Sequence, residues 1–242
     1  MLNIQMKSSA PLTKETIISI NNIKVQAPLK SKEIESLNHT SRTMPDKAPE
    51  TLINQSVPPL LHTVQKGQKM QLLSNNSITK IKACLGWNVT NAECDVDVSA
   101  FMLDSTGNVP GDKWFVFYGQ TKSPDNSTVF NANETIDRES ITIDFTKLST
   151  SVSKIVFVLT INEAFDKKLN FSMIKDAYIR ILNPENKSEL ISFKMDEYYS
   201  NVTSMMIGEV YLHNGNWKFN AIGNGVTKDL AGLCELYGVQ VI

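Results

Sequence analysis

The sequence predicts an all-β fold, an antiparallel β-sandwich of two sheets with one short C-terminal helix. Three observations carry this. From about Val64 onward, short apolar runs rich in Val, Ile and Phe recur between polar turns. Several runs alternate apolar and polar residues, as a strand with one inward face must. A single stretch, Leu230, Leu233, Cys234 and Tyr237, falls at helical spacing, and Gly238 is placed to stop it.

Residues 1–62 read as a largely irregular N-terminal extension or linker, and 63–242 as the sandwich domain. The first sixty residues hold six of the nine prolines and no glycine or aromatic residue, a composition that suits a linker. Within them, Thr16–Val25 suits one extra strand and Lys32–Leu37 a short helix. In the domain, Lys69–Leu73 and Ile81–Trp87 are short strands parted by a polar turn. Cys94–Phe101 alternates and runs on to Leu103, and Asp104–Asn108 turns the chain. Trp114–Tyr118 is an apolar run, closed by Lys122-Ser-Pro-Asp-Asn-Ser. Ser140–Phe145 alternates cleanly. Lys154–Ile161 is continuously apolar and β-branched, as a central strand buried on both faces should be. Ala177–Leu182, Glu189–Lys194, Met205–Leu212 and Trp217–Ile222 complete the strands. His213-Asn-Gly-Asn suits a hairpin turn, because Asn-Gly supports positive φ. Val239–Ile242 suits a last strand or a packed tail.

The bulk properties exclude several function classes. The net charge is −1, and Lys167-Lys168 is the one adjacent lysine pair, so nothing points to nucleic acid or an anionic surface. No apolar run reaches the length of a membrane span. The N-terminus lacks a basic start followed by an apolar stretch, and an odd number of cysteines (Cys84, Cys94, Cys234) without a signal fits reduced thiols. The expected location is therefore the cytoplasm. There is no Cys-x-x-Cys spacing, and His39, His62 and His213 lie far apart in sequence, which argues against zinc. No Gly-x-Ser-x-Gly elbow supports a hydrolase. Cys84 and Cys94 flank a turn and could meet across strands. Without a cationic cluster nearby, their thiols should be ordinary.

The alternating stretch Cys94-Asp95-Val96-Asp97-Val98-Ser99 is the most informative. Strand geometry puts Asp95, Asp97 and Ser99 on one face, with the two carboxylates roughly 6.6 Å apart along the backbone. Asp is disfavoured in strands and costly beside a core. A hard cation with oxygen ligands would explain the pair. A solvated face of an antiparallel sheet would also explain it.

Read in order, the blocks resemble the TerD family of tellurium-resistance and stress proteins over about 64–242. Leu85-Gly86-Trp87 stands where the family has Leu-Gly-Trp. Asp95-Val-Asp-Val-Ser-Ala-Phe-Met-Leu is similar to its Asp-Leu-Asp-Ala-Ser-Ala-Phe-Leu-Leu. Phe115-Val-Phe-Tyr with Lys122-Ser-Pro-Asp, Lys154–Ile161, Asn170-Phe171 and Ala177-Tyr-Ile-Arg-Ile also agree. Gly208-Glu-Val-Tyr-Leu-His-Asn-Gly-Asn-Trp-Lys-Phe is the most specific block.

The resemblance implies a β-sandwich that binds calcium through acidic loops, with no enzyme activity to assign. It also implies a role in resistance to tellurite and other stress, alongside other proteins of a stress-resistance complex.

The family's glycine-rich acidic loop is replaced here by Asn131-Ala-Asn-Glu-Thr-Ile-Asp-Arg-Glu, which is shorter and has no glycine. Asp137 and Glu139 match the ends of the loop's Asp-Asp-Glu, and Arg138 takes the middle place. The expected calcium ligands are Asp95, Asp97, Asp137 and Glu139, with Asn133, Glu134 and Glu163 as further candidates. One weakened site is expected rather than two. Alternatively, Arg138 pairs with Asp95 or Asp97 and replaces the cation. The chain would then be a diverged, calcium-independent interaction module of the same fold.

Overall fold

The computed structural model describes residues 54–72, 78–132 and 134–240. The readings of a strand at Thr16–Val25 and a helix at Lys32–Leu37 lie outside them. Among the described residues, eleven strands form two antiparallel sheets: β1 Lys69–Gln71, β2 Lys80–Val89, β3 Val96–Leu103, β4 Phe115–Val116, β5 Thr128–Ala132, β6 Glu139–Asp144, β7 Lys154–Ile161, β8 Ile174–Leu182, β9 Glu189–Lys194, β10 Ser204–His213 and β11 Asn216–Val226. The six-stranded sheet runs β1-β11-β10-β7-β3-β4 and the five-stranded sheet β5-β6-β2-β8-β9. One α-helix among the described residues, α1 Leu230–Leu236, follows. The predicted sandwich with a C-terminal helix is thus the observed fold.

The alternation read from the sequence sets the layers. Val98, Met102, Ile155, Phe157 and Leu159 of one sheet meet Ile81, Leu85, Ile141, Ile179 and Ile181 of the other in one apolar core. On the outer face of the six-stranded sheet, Phe101, Val156 and Val158 pack under Leu230, Leu233 and Cys234 of α1. The rings of Phe101, Phe115 and Phe117 stack along this layer at 4.4 and 4.5 Å. β7 lies between β10 and β3 and is covered on both faces, as its unbroken apolar run requires.

Local signals act where expected. Asn214 and Gly215 take φ of 50° and 74° between the paired His213 and Asn216, the conformation of a two-residue hairpin turn. Gly238 ends the helix at φ 76°, and the carboxylate of Asp229 caps its start by accepting from the Gly232 N–H at 2.8 Å. Two details differ from the expected strands. The run Trp114–Tyr118 yields only a two-residue strand, because Phe117 and Gln120 exchange backbone hydrogen bonds and fold the chain into a tight turn. β5, Thr-Val-Phe-Asn-Ala, is a short strand between polar turns that the expected strands did not include. Among the described residues no helix is long and apolar enough to cross a membrane.

Residues 54–64 lie against the five-stranded sheet. Gln55 and Asn88 exchange two 2.9 Å hydrogen bonds. The N–H groups of Leu61 and His62 both donate to Glu189 Oε1 at 2.8 Å, and Thr63 forms a parallel bridge to Ser192. Cys84, Ser140, Tyr178 and Ser192 are buried on this sheet. The Tyr178 ring crosses Gly86 so closely that an added Cβ would lie 2.3 Å from it, and glycine is the residue that permits this approach.

Candidate functional site

The sheets converge on a group of acids near the end of β3. Asp97 sits on the β3 face opposite Val96 and Val98, which enter the core. β4 pairs only with Ala100 and Phe101 and stops short of Val98. Glu139, the first residue of β6 in the opposite sheet, reaches across this gap. Its Oε2 accepts the Val98 N–H at 2.8 Å. The Tyr118 phenol stands in the same place. Burial first, and then the charges of Asp97, Asp95 and Glu139, hold its pKa well above the ordinary tyrosine range. Three of the four expected ligands therefore act on one hydroxyl.

The fourth is engaged elsewhere. Asp137 is buried, with Oδ1 accepting from Arg180 Nε at 3.1 Å and Oδ2 from Arg180 Nη2 at 2.8 Å. The Tyr178 hydroxyl donates to Oδ1 at 3.0 Å. This is a bidentate, charge-assisted pair on the five-stranded sheet. Asp137 lies in the bend before β6, where strand alternation does not place it with Glu139.

Arg138 donates from Nε to the Trp87 carbonyl at 2.6 Å, with its guanidinium 5.5 Å from the centre of the indole ring. Burial lowers its pKa, while Tyr178 and Glu139 favour its charged form. Glu134 pairs with Lys82 at 2.8 Å and accepts from the Ser140 hydroxyl at 2.7 Å. Glu163 pairs with Lys167 at 2.7 Å. Asn133 lies outside the described residues. Among those residues, no three His, Cys, Asp or Glu side chains stand together as a formed metal cage.

Burial disfavours the thiolate form of all three cysteines. Burial, with Asp137 next, pushes Cys84 up to about 12, and burial pushes Cys234 to about 12 as well. Cys94 is raised by burial and lies 3.9 Å from the Met173 sulfur, while Cys84 sits beside Lys82, Asp137 and Arg180. The two cysteines thus occupy different surroundings. All three are free.

A family model described as the TerD domain matches residues 60–237. The chain belongs to the TerD domain family. It is 36% identical over 172 residues to the tellurium resistance protein TerD of Serratia marcescens, covering 68% of this chain and 90% of that one. It is 34% identical over 189 residues to General stress protein 16U of Bacillus subtilis (strain 168), covering 74% of this chain and 98% of the relative. It is 35% identical over 188 residues to YceE of the same organism, with the same coverage. The crystal structure of a TerD homologue from Streptomyces coelicolor A3(2) aligns with a TM-score of 0.51 at 14% identity, over 69% of this chain and all of that one. That likeness concerns the fold alone.

Within this TerD-domain chain, sequence reasoning missed three residues. Tyr118 is where the acids meet, but a tyrosine ending an apolar run reads simply as sheet aromatic. Tyr178 and Arg180 lie two apart on β8 and therefore share a face. That spacing shows an arginine on a strand but not which carboxylate it takes.

Proposed function

We propose that this chain is a cytoplasmic, non-enzymatic stress-response protein of the tellurium-resistance type. It binds one calcium ion weakly and serves as a scaffold for other proteins of a stress-resistance complex. Membership of a family whose relatives carry tellurium-resistance and stress names supports the stress role.

The calcium reading is carried by the reach of Glu139 across the sheets to the Val98 N–H at 2.8 Å, next to Asp97 on β3. After burial, the charges of Asp97, Asp95 and Glu139 all act to raise the Tyr118 pKa. Carboxylates are the hard oxygen donors calcium selects, so these residues suit the ion. Asp95, Asp97 and Glu139 do not stand together as a formed group among the described residues. They would have to draw in to hold it, with backbone oxygens and water completing its shell, which accords with weak binding. Asp137 is committed to Arg180, which favours one weak site over two. The same pair is the observation behind the second reading, a calcium-independent interaction module.

The test is a thermal melt in calcium and in chelator, for the wild type and for Asp97→Ala. A ligand that binds only the folded state adds about 2.7 kcal/mol at 100 times its Kd. For a chain of this size, that raises Tm by roughly 5–10 °C. The wild type should show the rise and Asp97→Ala should not. A wild type whose melt ignores calcium would favour the calcium-independent module.

A further inference from the structure

On the outer face of the six-stranded sheet, beside α1, lies a cavity of about 320 Å³. Its lining includes Asp97, Asp166 and Asp229, and the aromatic side chains of Phe117, Tyr118 and Phe165. Among the described residues that line it there is no lysine, arginine or histidine; Glu163 also lines it, paired at 2.7 Å with Lys167, which is not among the lining residues. Ser99 lines it too; it is only 3% exposed, and its Oγ has no hydrogen-bond partner among the described residues. A buried hydroxyl with nothing to bond is costly, and one lining a cavity is a ready partner for an entering donor. Phe165, 51% exposed, adds a large apolar ring left open to solvent.

We infer that this cavity is a binding site for an organic cation: a primary ammonium or guanidinium group on a short alkyl stem. Volume, charge and lining select that class together. A bare metal ion would leave most of the space and all three rings unused, since one water occupies only about 30 Å³. A neutral apolar ligand would bring no donor to the lining carboxylates or to the Ser99 oxygen. An ammonium head suits the carboxylates and the Ser99 oxygen, and its methylene stem suits the aromatic walls. The site goes beyond the calcium reading. It shares Asp97 with that reading, but Asp95 and Glu139 are not among its lining residues.

The experiment is calorimetric titration of the full chain at low ionic strength with putrescine and, separately, with Nα-acetyl-lysine amide. Butanediol serves as the uncharged match of putrescine. The expected result is saturable binding of the amines and none of the diol. Stronger binding of putrescine assigns the site to a free amine, and stronger binding of the capped lysine assigns it to a side chain of another protein. Asp229→Asn removes the charge but keeps a good helix cap, and should weaken binding about tenfold, the cost of one charge-assisted hydrogen bond. Ser99→Ala removes only the hydroxyl oxygen and should weaken it about fivefold. Asp95→Asn should diminish the calcium response and leave amine binding intact, so the two readings fail separately. Absence of amine binding, equal binding of the diol, or undiminished binding by a folded Asp229→Asn variant would overturn the inference.

Discussion

Replacing Asp137 by alanine is expected to destabilise the protein by about 3–5 kcal/mol, the usual cost of breaking one side of a buried ion pair. The variant leaves the Arg180 guanidinium, whose side chain is only 11% exposed, without the carboxylate that takes two of its donors. The Tyr178 hydroxyl loses its acceptor in the same step. Tyr178 cannot readily swing to a new partner, because its ring lies against Gly86 within a buried layer. Substituting both partners with apolar residues of similar size, Asp137→Leu with Arg180→Met, should recover only part of the loss, since it removes the orphaned guanidinium but also the cation 4.0 Å from the buried Glu189 carboxylate. Urea denaturation measures both effects. The loss in Asp137→Ala should be equal in calcium and in chelator, because this carboxylate serves Arg180. A loss that appears only in calcium would return Asp137 to the ligand set.

The second large effect is expected at the centre of the sandwich. Phe157→Ala should cost about 3–5 kcal/mol, the range for removing a fully buried aromatic side chain. Phe157 is completely buried between the two sheets. Its neighbour Val158 faces the opposite way, under α1, and is also completely buried. Val158→Ala should therefore cost stability as well, though less, because fewer atoms are removed. Urea denaturation of the two variants checks both faces of β7. An unaffected Val158→Ala would mean that α1 does not seal the outer face in solution.

These two cases also mark what was legible in the sequence. The burial of β7 followed from Lys154–Ile161 alone, since an unbroken β-branched run has no face for water. The hairpin at Asn214-Gly215 and the helix stop at Gly238 were equally open to reading, because each depends on positive φ that few residues supply. β5 was not, because its Thr-Val-Phe run is too short to stand out among the polar residues around it, and its extent is set by pairing with β6 on one side and with Thr121 and Lys122 on the other.

The site divides along the same line. That Asp97 and Ser99 share a face of β3 is a local consequence of strand period, while Asp95 precedes the strand, which begins at Val96. That Glu139 crosses from the other sheet to the Val98 N–H, and that Asp137 turns to Arg180, depends on contacts 41 and 43 residues apart in the chain. Spacing cannot reveal such contacts. The segment 54–62 is a similar case. Its proline-rich composition reads as linker, yet it is held by backbone N–H and C=O groups, which every such segment carries.

The most direct measurement is the stoichiometry of calcium binding, by calorimetric titration of metal-free protein. With Asp95, Asp97 and Glu139 around Tyr118 and Asp137 bound to Arg180, the expected result is one ion per chain, bound weakly and lost in Asp97→Ala. Two ions per chain, or none, would contradict a single calcium site at the end of β3.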